Sequence, residues 1–139
     1  MPHVFTYGSL MFKTVWNLVA QGEYEKSDAT LANYIRRAVI NQEYPAVLPQ
    51  IDPAGVDGIL YFNVTDNDVL RLDEFEGQFY TRKQEQVMVE KNTPLSAEVY
   101  VIKDRYRHIV SKNAWDPVHF ETTGINRFIQ NYTGFHQAW

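Results

Sequence analysis

The sequence predicts an α+β fold built on a curled, mostly antiparallel sheet, and three observations carry that expectation. Short runs rich in β-formers, bounded by glycine, proline or asparagine, recur along the chain. Two long runs near the middle are joined as a hairpin, and the helical segments interrupt the strands without a regular β–α alternation. At 139 residues the expected organisation is one domain, 1–139. An apolar fraction of 45% and a charged fraction of 22% are those of a soluble globular protein. Aromatic residues make 14%, which suits a β-rich core or a ligand cavity.

His3 to Tyr7 alternates and reads as the first strand. It runs through Gly8-Ser9-Leu10 into a helix from Met11 to Gln21, where Val15, Leu18 and Val19 recur at helical spacing and Gly22 is the stop. A strand that turns through glycine into a helix start leaves backbone N–H groups unpaired at one spot, which suits a carboxylate, a phosphate or a developing oxyanion. A tight turn needs glycine in any case, so both readings of Gly8 stand. Ala29 to Ile40 favours strand, broken by Asn33 and the Arg36-Arg37 pair. Tyr44 to Pro49 carries two prolines and is an edge strand or a cavity-lining turn. Gly55 to Val64 is the strongest strand and reads as a central one.

A helix follows from Asp66 to Glu76, capped by Thr65 and closed by Gly77. Phe79 to Lys91 alternates, Asn92-Thr93-Pro94 turns, and Ala97 to Ile102 returns as the second strand of a hairpin. Tyr106 to Asn113 matches neither period. Asp116-Pro117 is a helix start, and Phe120, Phe128, Ile129 and Tyr132 give that helix an apolar side. Gly124 weakens it by about 1 kcal/mol. The tally is five or six strands with two or three helices.

The helix at 66–76 holds the chemistry-bearing residues. On an ideal helix each residue turns by about 100°. Leu70, Leu72 and Phe75 then define an apolar face, and Glu76 falls within about 20–25° of its centre. Asp73 lies roughly 80° away and Glu74 points outward. A carboxylate aimed at a core must be paired, hydrogen-bonded or protonated. Two readings remain open: Arg82 and Tyr80 hold Glu76 as a structural pair, or burial lifts its pKa toward neutrality and makes it a general acid/base.

Composition excludes several classes. With a net charge of −4, and basic clusters only at Arg36-Arg37 and Lys103 to Arg107, no nucleic-acid partner is expected. There is no cysteine, so disulfides, thiolate catalysis and Cys-ligated zinc are excluded. His3, His108, His119 and His136 are scattered, so no metal is expected. Ser9 has no GxSxG context. Trp16, Trp115 and Trp139 read as packing residues. No signal-peptide pattern and no run near the ~18 apolar residues of a membrane span are present, so a cytoplasmic protein with no membrane partner is expected.

Two stretches together resemble one family. Val4-Phe5-Thr6-Tyr7-Gly8-Ser9-Leu10 is similar to the V-F-x-Y-G-[ST]-L opening of the γ-glutamylcyclotransferase-like (AIG2-like) family. Leu72-Asp73-Glu74-Phe75-Glu76-Gly77-Gln78-Phe79-Tyr80-Thr81-Arg82 is similar to its L-D-x-F-E-G-x-x-Y-x-R motif. Tyr44-Pro45 and Gly58-Ile59-Leu60-Tyr61 sit where that family carries Y-P and G-x-[LV]-Y. After Leu10 the chain departs from the family pattern, with Met11 to Val15 in place of a basic residue, a glycine and Asn-His.

The resemblance implies a small mixed, mostly antiparallel β-barrel flanked by two or three helices, with a cavity at its mouth. It also implies a cofactor-free enzyme that cyclises a γ-glutamyl amine or γ-glutamyl peptide to 5-oxoproline. Glu76 would be the acid/base, and Tyr7, Gly8, Ser9, Leu10, Tyr44, Tyr80 and Arg82 would bind substrate. Of the last pair, Tyr80 is the expected neighbour of Glu76, while Arg82 is expected on a structural acid such as Asp73 or on the substrate. The rival readings are a binding module without turnover and an interaction protein of the same fold. Neither the released amine nor an oligomeric state is specified by the residues.

Overall fold

The computed structural model describes residues 1–90 and 92–137, with side chains as far as Asn131 in the C-terminal helix. The expectations for Lys91, Tyr132, His136 and Trp139 lie outside the described residues.

Among the described residues, eight strands form two sheets. Strands β1 (Val4–Thr6), β2 (Lys26–Leu31), β5 (Val56–Tyr61), β6 (Tyr80–Val89) and β7 (Thr93–Ile102) close a barrel in the order β1-β5-β2-β6-β7. All neighbours are antiparallel except β7 and β1, which meet in parallel at Val4 and Glu98 and close the ring. Strands β4 (Pro45–Pro49), β3 (Tyr34–Val39) and β8 (Val110–Ala114) form a second antiparallel sheet. Four helical segments, α1 (Lys13–Val19), α2 (Asp66–Glu76), α3 (Pro117–His119) and α4 (Ile125–Gln137), complete the fold.

The alternation read from the sequence becomes two packed clusters. Phe5, Leu60, Val87, Val99 and Val101 pack with one another and with no helix, so they fill the barrel. Their chain neighbours Val4, Tyr61, Tyr100 and Ile102 pack outside, against Val15 and Trp16 of α1 and Val69 and Leu72 of α2. Trp16 stacks on Tyr61 with ring centroids 3.6 Å apart. Truncating a residue such as Leu60, fully buried, costs roughly 2–5 kcal/mol in such a core.

Several boundaries differ from the sequence expectation, each for a local reason. The break in residues 29–40 is a turn at Asn33, whose φ is +62°, while Arg36 and Arg37 lie inside β3. The first helix is shorter than expected. Residues Ser9–Met11 form a 3-10 turn, Phe12 is extended, and α1 ends at Val19, capped by an extended Ala20, and not at Gly22. Leu18 is 47% exposed and Trp16 takes the inner face in its place. The proline-bearing 45–49 run is an edge strand of the second sheet and, through Pro45, part of the cavity wall. The ambiguous stretch splits into a 3-10 turn (Asp104–Ile109) and β8, which pairs with β3 across a bulge. The C-terminal helix begins at Asp116-Pro117 as expected, with Asp116 accepting from the Val118 and His119 N–H groups. A π turn at Phe120–Gly124 then separates α3 from α4. No helix among the described residues is long and apolar enough to cross a membrane.

Candidate functional site

Helix α2 is held at both ends so that its last residue meets the barrel mouth. At its start Thr65 Oγ1 accepts from the Asp68 N–H at 3.2 Å. Asp68, 1% exposed, accepts from the Gln21 and Gly22 N–H groups, the Tyr24 hydroxyl and the Arg71 guanidinium. Burial pushes its carboxyl up, but these four donors outweigh burial and hold it below the usual range. At the other end Gly77 takes a φ of +76°, which an L residue adopts only with strain, and the chain turns toward β6.

Glu76 therefore stops at the wall of a cavity of about 810 Å³. Its carboxyl makes no hydrogen bond to any described residue. Burial, with the Asp73 charge as a second cause, pushes its pKa up to about 8. Glu74 points outward, as helical spacing predicts, and stands exposed at the rim. The structural pairing of Glu76 with Arg82 does not occur. Arg82 donates to Asp73 at 2.9 Å and to Glu98 at 2.7 Å.

Across the cavity lies the loop from Tyr7 to Leu10, and its hydrogen bonding is one-sided. Its four carbonyls are all accepting: Tyr7 from the Arg36 guanidinium, Gly8 from the Met11 N–H, Ser9 from the Phe12 N–H and Leu10 from the Tyr61 hydroxyl. The Gly8, Ser9 and Leu10 N–H groups donate to no described residue. In a trans peptide the carbonyl and the N–H point in opposite directions. With the Tyr7, Gly8 and Ser9 carbonyls engaged, the N–H of each following peptide points away from its carbonyl's partner, and residues 7–10 line the cavity. The loop backbone offers N–H donors while each of its carbonyls already accepts a hydrogen bond, which is the electrostatics of an anion site.

Four tyrosines surround the carboxyl. Tyr7 donates to the Tyr100 carbonyl at 2.5 Å, Tyr80 to the Pro45 carbonyl at 2.9 Å and Tyr100 to Asp73 Oδ1 at 2.6 Å. Burial first, and then charges that include Glu76, push all three phenols up. Tyr44 is raised by burial and by Glu76 as well, and its hydroxyl makes no hydrogen bond to a described residue. None of the four is ionised near neutrality, so each presents a neutral dipole to Glu76.

The structure brings Glu76, Tyr7, Gly8, Ser9, Leu10, Tyr44 and Tyr80 to one cavity. Arg82 is not brought there; its guanidinium donates through Nε and Nη2 to Asp73 and through Nη1 to Glu98, both outside the lining. Tyr80 lines the cavity, but its hydroxyl serves Pro45 and not Glu76. Two residues were missed from the sequence. Tyr100 stands directly across the hairpin from Arg82 and joins Asp73 to the cavity wall, a position that the hairpin register alone could have supplied. Arg36 was read only as part of a basic pair; it reaches from β3 to the Tyr7 carbonyl at 2.9 Å and lies over the Trp115 ring.

Arg36 sets the plane of the Tyr7–Gly8 peptide from behind, since it lines a separate surface hollow and not the Glu76 cavity. If this loop is the reactive one, Arg36→Met is expected to lower kcat by roughly tenfold or more, because a misaimed donor loses its transition-state contact. KM should change little, and Arg36→Lys should restore part of the loss. Steady-state kinetics on the two folded variants check this; equal kcat in all three proteins would remove the positioning role.

Comparison with known proteins gives consistent neighbours. A model of the family described as "Gamma-glutamyl cyclotransferase, AIG2-like" matches residues 4–117. AIG2-like protein D of Arabidopsis thaliana is 34% identical over 103 residues, a segment covering 73% of this chain and 67% of that protein. AIG2-like protein C of the same plant is 33% identical over 104 residues, covering 73% of this chain and 59% of its own length. A solution structure of another Arabidopsis thaliana protein superposes with a TM-score of 0.69 at 22% identity, covering 99% of this chain and 91% of that one. A structure described as "Gamma-glutamyl cyclotransferase" superposes with a TM-score of 0.64 at 15% identity, covering 73% of this chain and 66% of that one. These structural likenesses establish the shared barrel fold.

Proposed function

Since this chain belongs to the gamma-glutamyl cyclotransferase, AIG2-like family, we propose that it cyclises a γ-glutamyl amine or γ-glutamyl peptide to 5-oxoproline with release of the amine. The α-amino nitrogen of the substrate attacks its own side-chain carbonyl, a C–N bond forms, and the original amide C–N bond breaks. Being intramolecular, the attack gains up to ~7–11 kcal/mol from orientation. Glu76 takes the proton from the α-nitrogen and returns it to the departing nitrogen, so the proton count closes within the site. Two of the Gly8, Ser9 and Leu10 N–H groups face the developing oxyanion, each worth about 3 kcal/mol in comparable sites. No metal or cofactor enters these steps.

The observation that carries the reading is Glu76 itself: a half-buried residue on a cavity wall whose carboxyl has a pKa near 8 and no hydrogen bond to a described residue, opposite loop N–H groups that donate to no described residue. A structural acid would have a partner, as Asp68 and Asp73 do. A pKa near the working pH is what base-then-acid chemistry requires.

This proton inventory sets a pH dependence. In the empty site Glu76 is largely protonated at pH 7, and the base form grows as pH rises through about 8. The logarithm of kcat/KM is therefore expected to climb with pH and level off above about 8. A bound α-ammonium favours the carboxylate, so the corresponding limb of kcat should lie at lower pH. Release of 5-oxoproline from a panel of γ-glutamyl amines and dipeptides, followed between pH 5 and 9, tests both the activity and its profile. Binding without turnover across the panel would replace the enzyme by a binding module.

A further inference from the structure

At about 810 Å³ the cavity has more room than a γ-glutamyl head needs, and part of its lining is aromatic. It is of the size that drug-sized ligands fill. Phe75 and Phe79 flank Glu76 along the chain, Tyr44 lies within its electrostatic reach, and all three line the cavity. Phe128 of α4 closes this side, edge-on to Tyr44 at 6.3 Å and to Phe75 at 6.0 Å between ring centroids. Arg127 next to it donates to Glu43 at 2.7 Å, which clasps α4 to the segment before β4. Phe128 lies beyond residue 117, where the match to the family model ends.

The charges on the lining are one-sided. Among the described lining residues there is no lysine, arginine or histidine, and the ionisable carboxyls are Glu43, Glu74 and Glu76. The carboxylate of the γ-glutamyl head can share the three loop N–H groups of residues 8–10 with the oxyanion, one donor to the first and two to the second. A second carboxylate, on the leaving group, would meet the acids Glu43 and Glu74, phenyl rings and the neutral amides of Gln42, Gln78 and Asn131, and would lose hydration with no cation among the described lining residues to offset it.

Building on the proposed cyclisation, the geometry points to an aromatic subsite for the leaving amine, walled by Tyr44, Phe75, Phe79 and Phe128, that takes γ-glutamyl conjugates of uncharged aryl or bulky apolar amines and rejects γ-glutamyl peptides with a free carboxylate. Glu76 must reach the departing nitrogen, so the group attached to that nitrogen extends from Glu76 along these rings. Offset and edge-to-face contacts with an aryl ring favour it over an aliphatic chain of equal size.

The experiment compares γ-glutamyl benzylamide, γ-glutamyl methylamide, the γ-glutamyl amide of a diamine and a γ-glutamyl dipeptide on the purified protein and on Phe128→Ala. The expected kcat/KM order places the benzylamide first and the dipeptide last. Phe128→Ala should lower the benzylamide value roughly tenfold or more, as loss of one apolar contact surface does, and leave the methylamide nearly unchanged. A preference for the dipeptide or the diamine conjugate, or equal loss for benzylamide and methylamide in a folded Phe128→Ala protein, overturns the subsite. Phe128→Leu, which keeps apolar volume, should fall between the two and guards against a variant that does not fold. Failure to cyclise any of the four substrates overturns the proposed function instead. Calorimetric titration with γ-glutamyl benzylamide against the methylamide then still tests the subsite, because equal affinities would exclude it.

Discussion

Glu76→Gln is expected to abolish cyclisation and, above pH 8, to make the folded protein more stable. The first effect follows from general acid–base catalysis, whose loss costs ~10²–10⁴-fold in rate. The second follows from the desolvation of a carboxylate that makes no hydrogen bond to a described residue. Glu76 has an ordinary pKa of 4.5 and a folded-state value raised to about 8, so between those values the folded state holds more protons than the unfolded one. Stability then falls as pH rises from about 4.5, and the whole cost is present above about 8, on the order of a few kcal/mol. Glutamine has the same shape and no charge to desolvate, so its melting temperature should exceed that of the parent at pH 9 and approach it near pH 5. Melting curves at the two pH values and one cyclisation assay decide the matter. Full activity in the folded variant sinks the mechanism. A lower melting temperature at pH 9 would mean that the carboxylate has a stabilising partner after all.

Gly8→Val is expected to be the most damaging change in the loop, and sterics rather than backbone strain is the cause. Gly8 has a φ of −136°, outside the left-handed region, but a Cβ there would meet Pro45 Cδ and Cγ at 2.7 Å. Pro45 cannot retreat freely, because its carbonyl accepts from Tyr80 and its neighbour Tyr44 lines the cavity. Overpacking of this kind costs about 1–3 kcal/mol of stability. A displacement of about 1 Å in the donor loop costs on the order of 10²-fold in rate, so activity should fall further than stability does. Gly8→Ala makes the same contact with one carbon and should be intermediate. Chemical denaturation paired with kcat/KM for the two variants tests the order, and a folded Gly8→Val protein with parental kcat/KM would refute it.

The local features were legible in the chain because their causes are local. Helical spacing, with Thr65 at one end and Gly77 at the other, determined that α2 runs from Asp66 to Glu76 and that Glu76, unlike Glu74, turns inward. The Tyr7-Gly8-Ser9-Leu10 segment likewise implied unpaired N–H groups from turn chemistry alone. Strand existence was read well, since alternation reports which face is buried. Strand count was not, since Asn33 and residues 110–114 become turn and strand only through their pairing with distant segments.

Tertiary structure decided the partners. Arg82 and Tyr80 share a strand face near Glu76 in sequence, and either could have paired with it. The hairpin register puts Glu98 and Tyr100 beside Arg82 and Asp73, and the packing of β4 on the barrel puts the Pro45 carbonyl beside the Tyr80 hydroxyl. Both candidates are thereby drawn away, and Glu76 is left without a hydrogen-bond partner among the described residues. The Arg36 contact to Tyr7 spans two sheets, and Phe128 arrives from the far end of the chain. A polar group is committed by whichever complementary atom the assembled fold brings within about 3 Å, and separation along the chain carries no information about that choice. The chain by itself determined which carboxyl faces inward; only the closed barrel decided that no described residue would hydrogen-bond to it, so that burial raises its pKa to about 8.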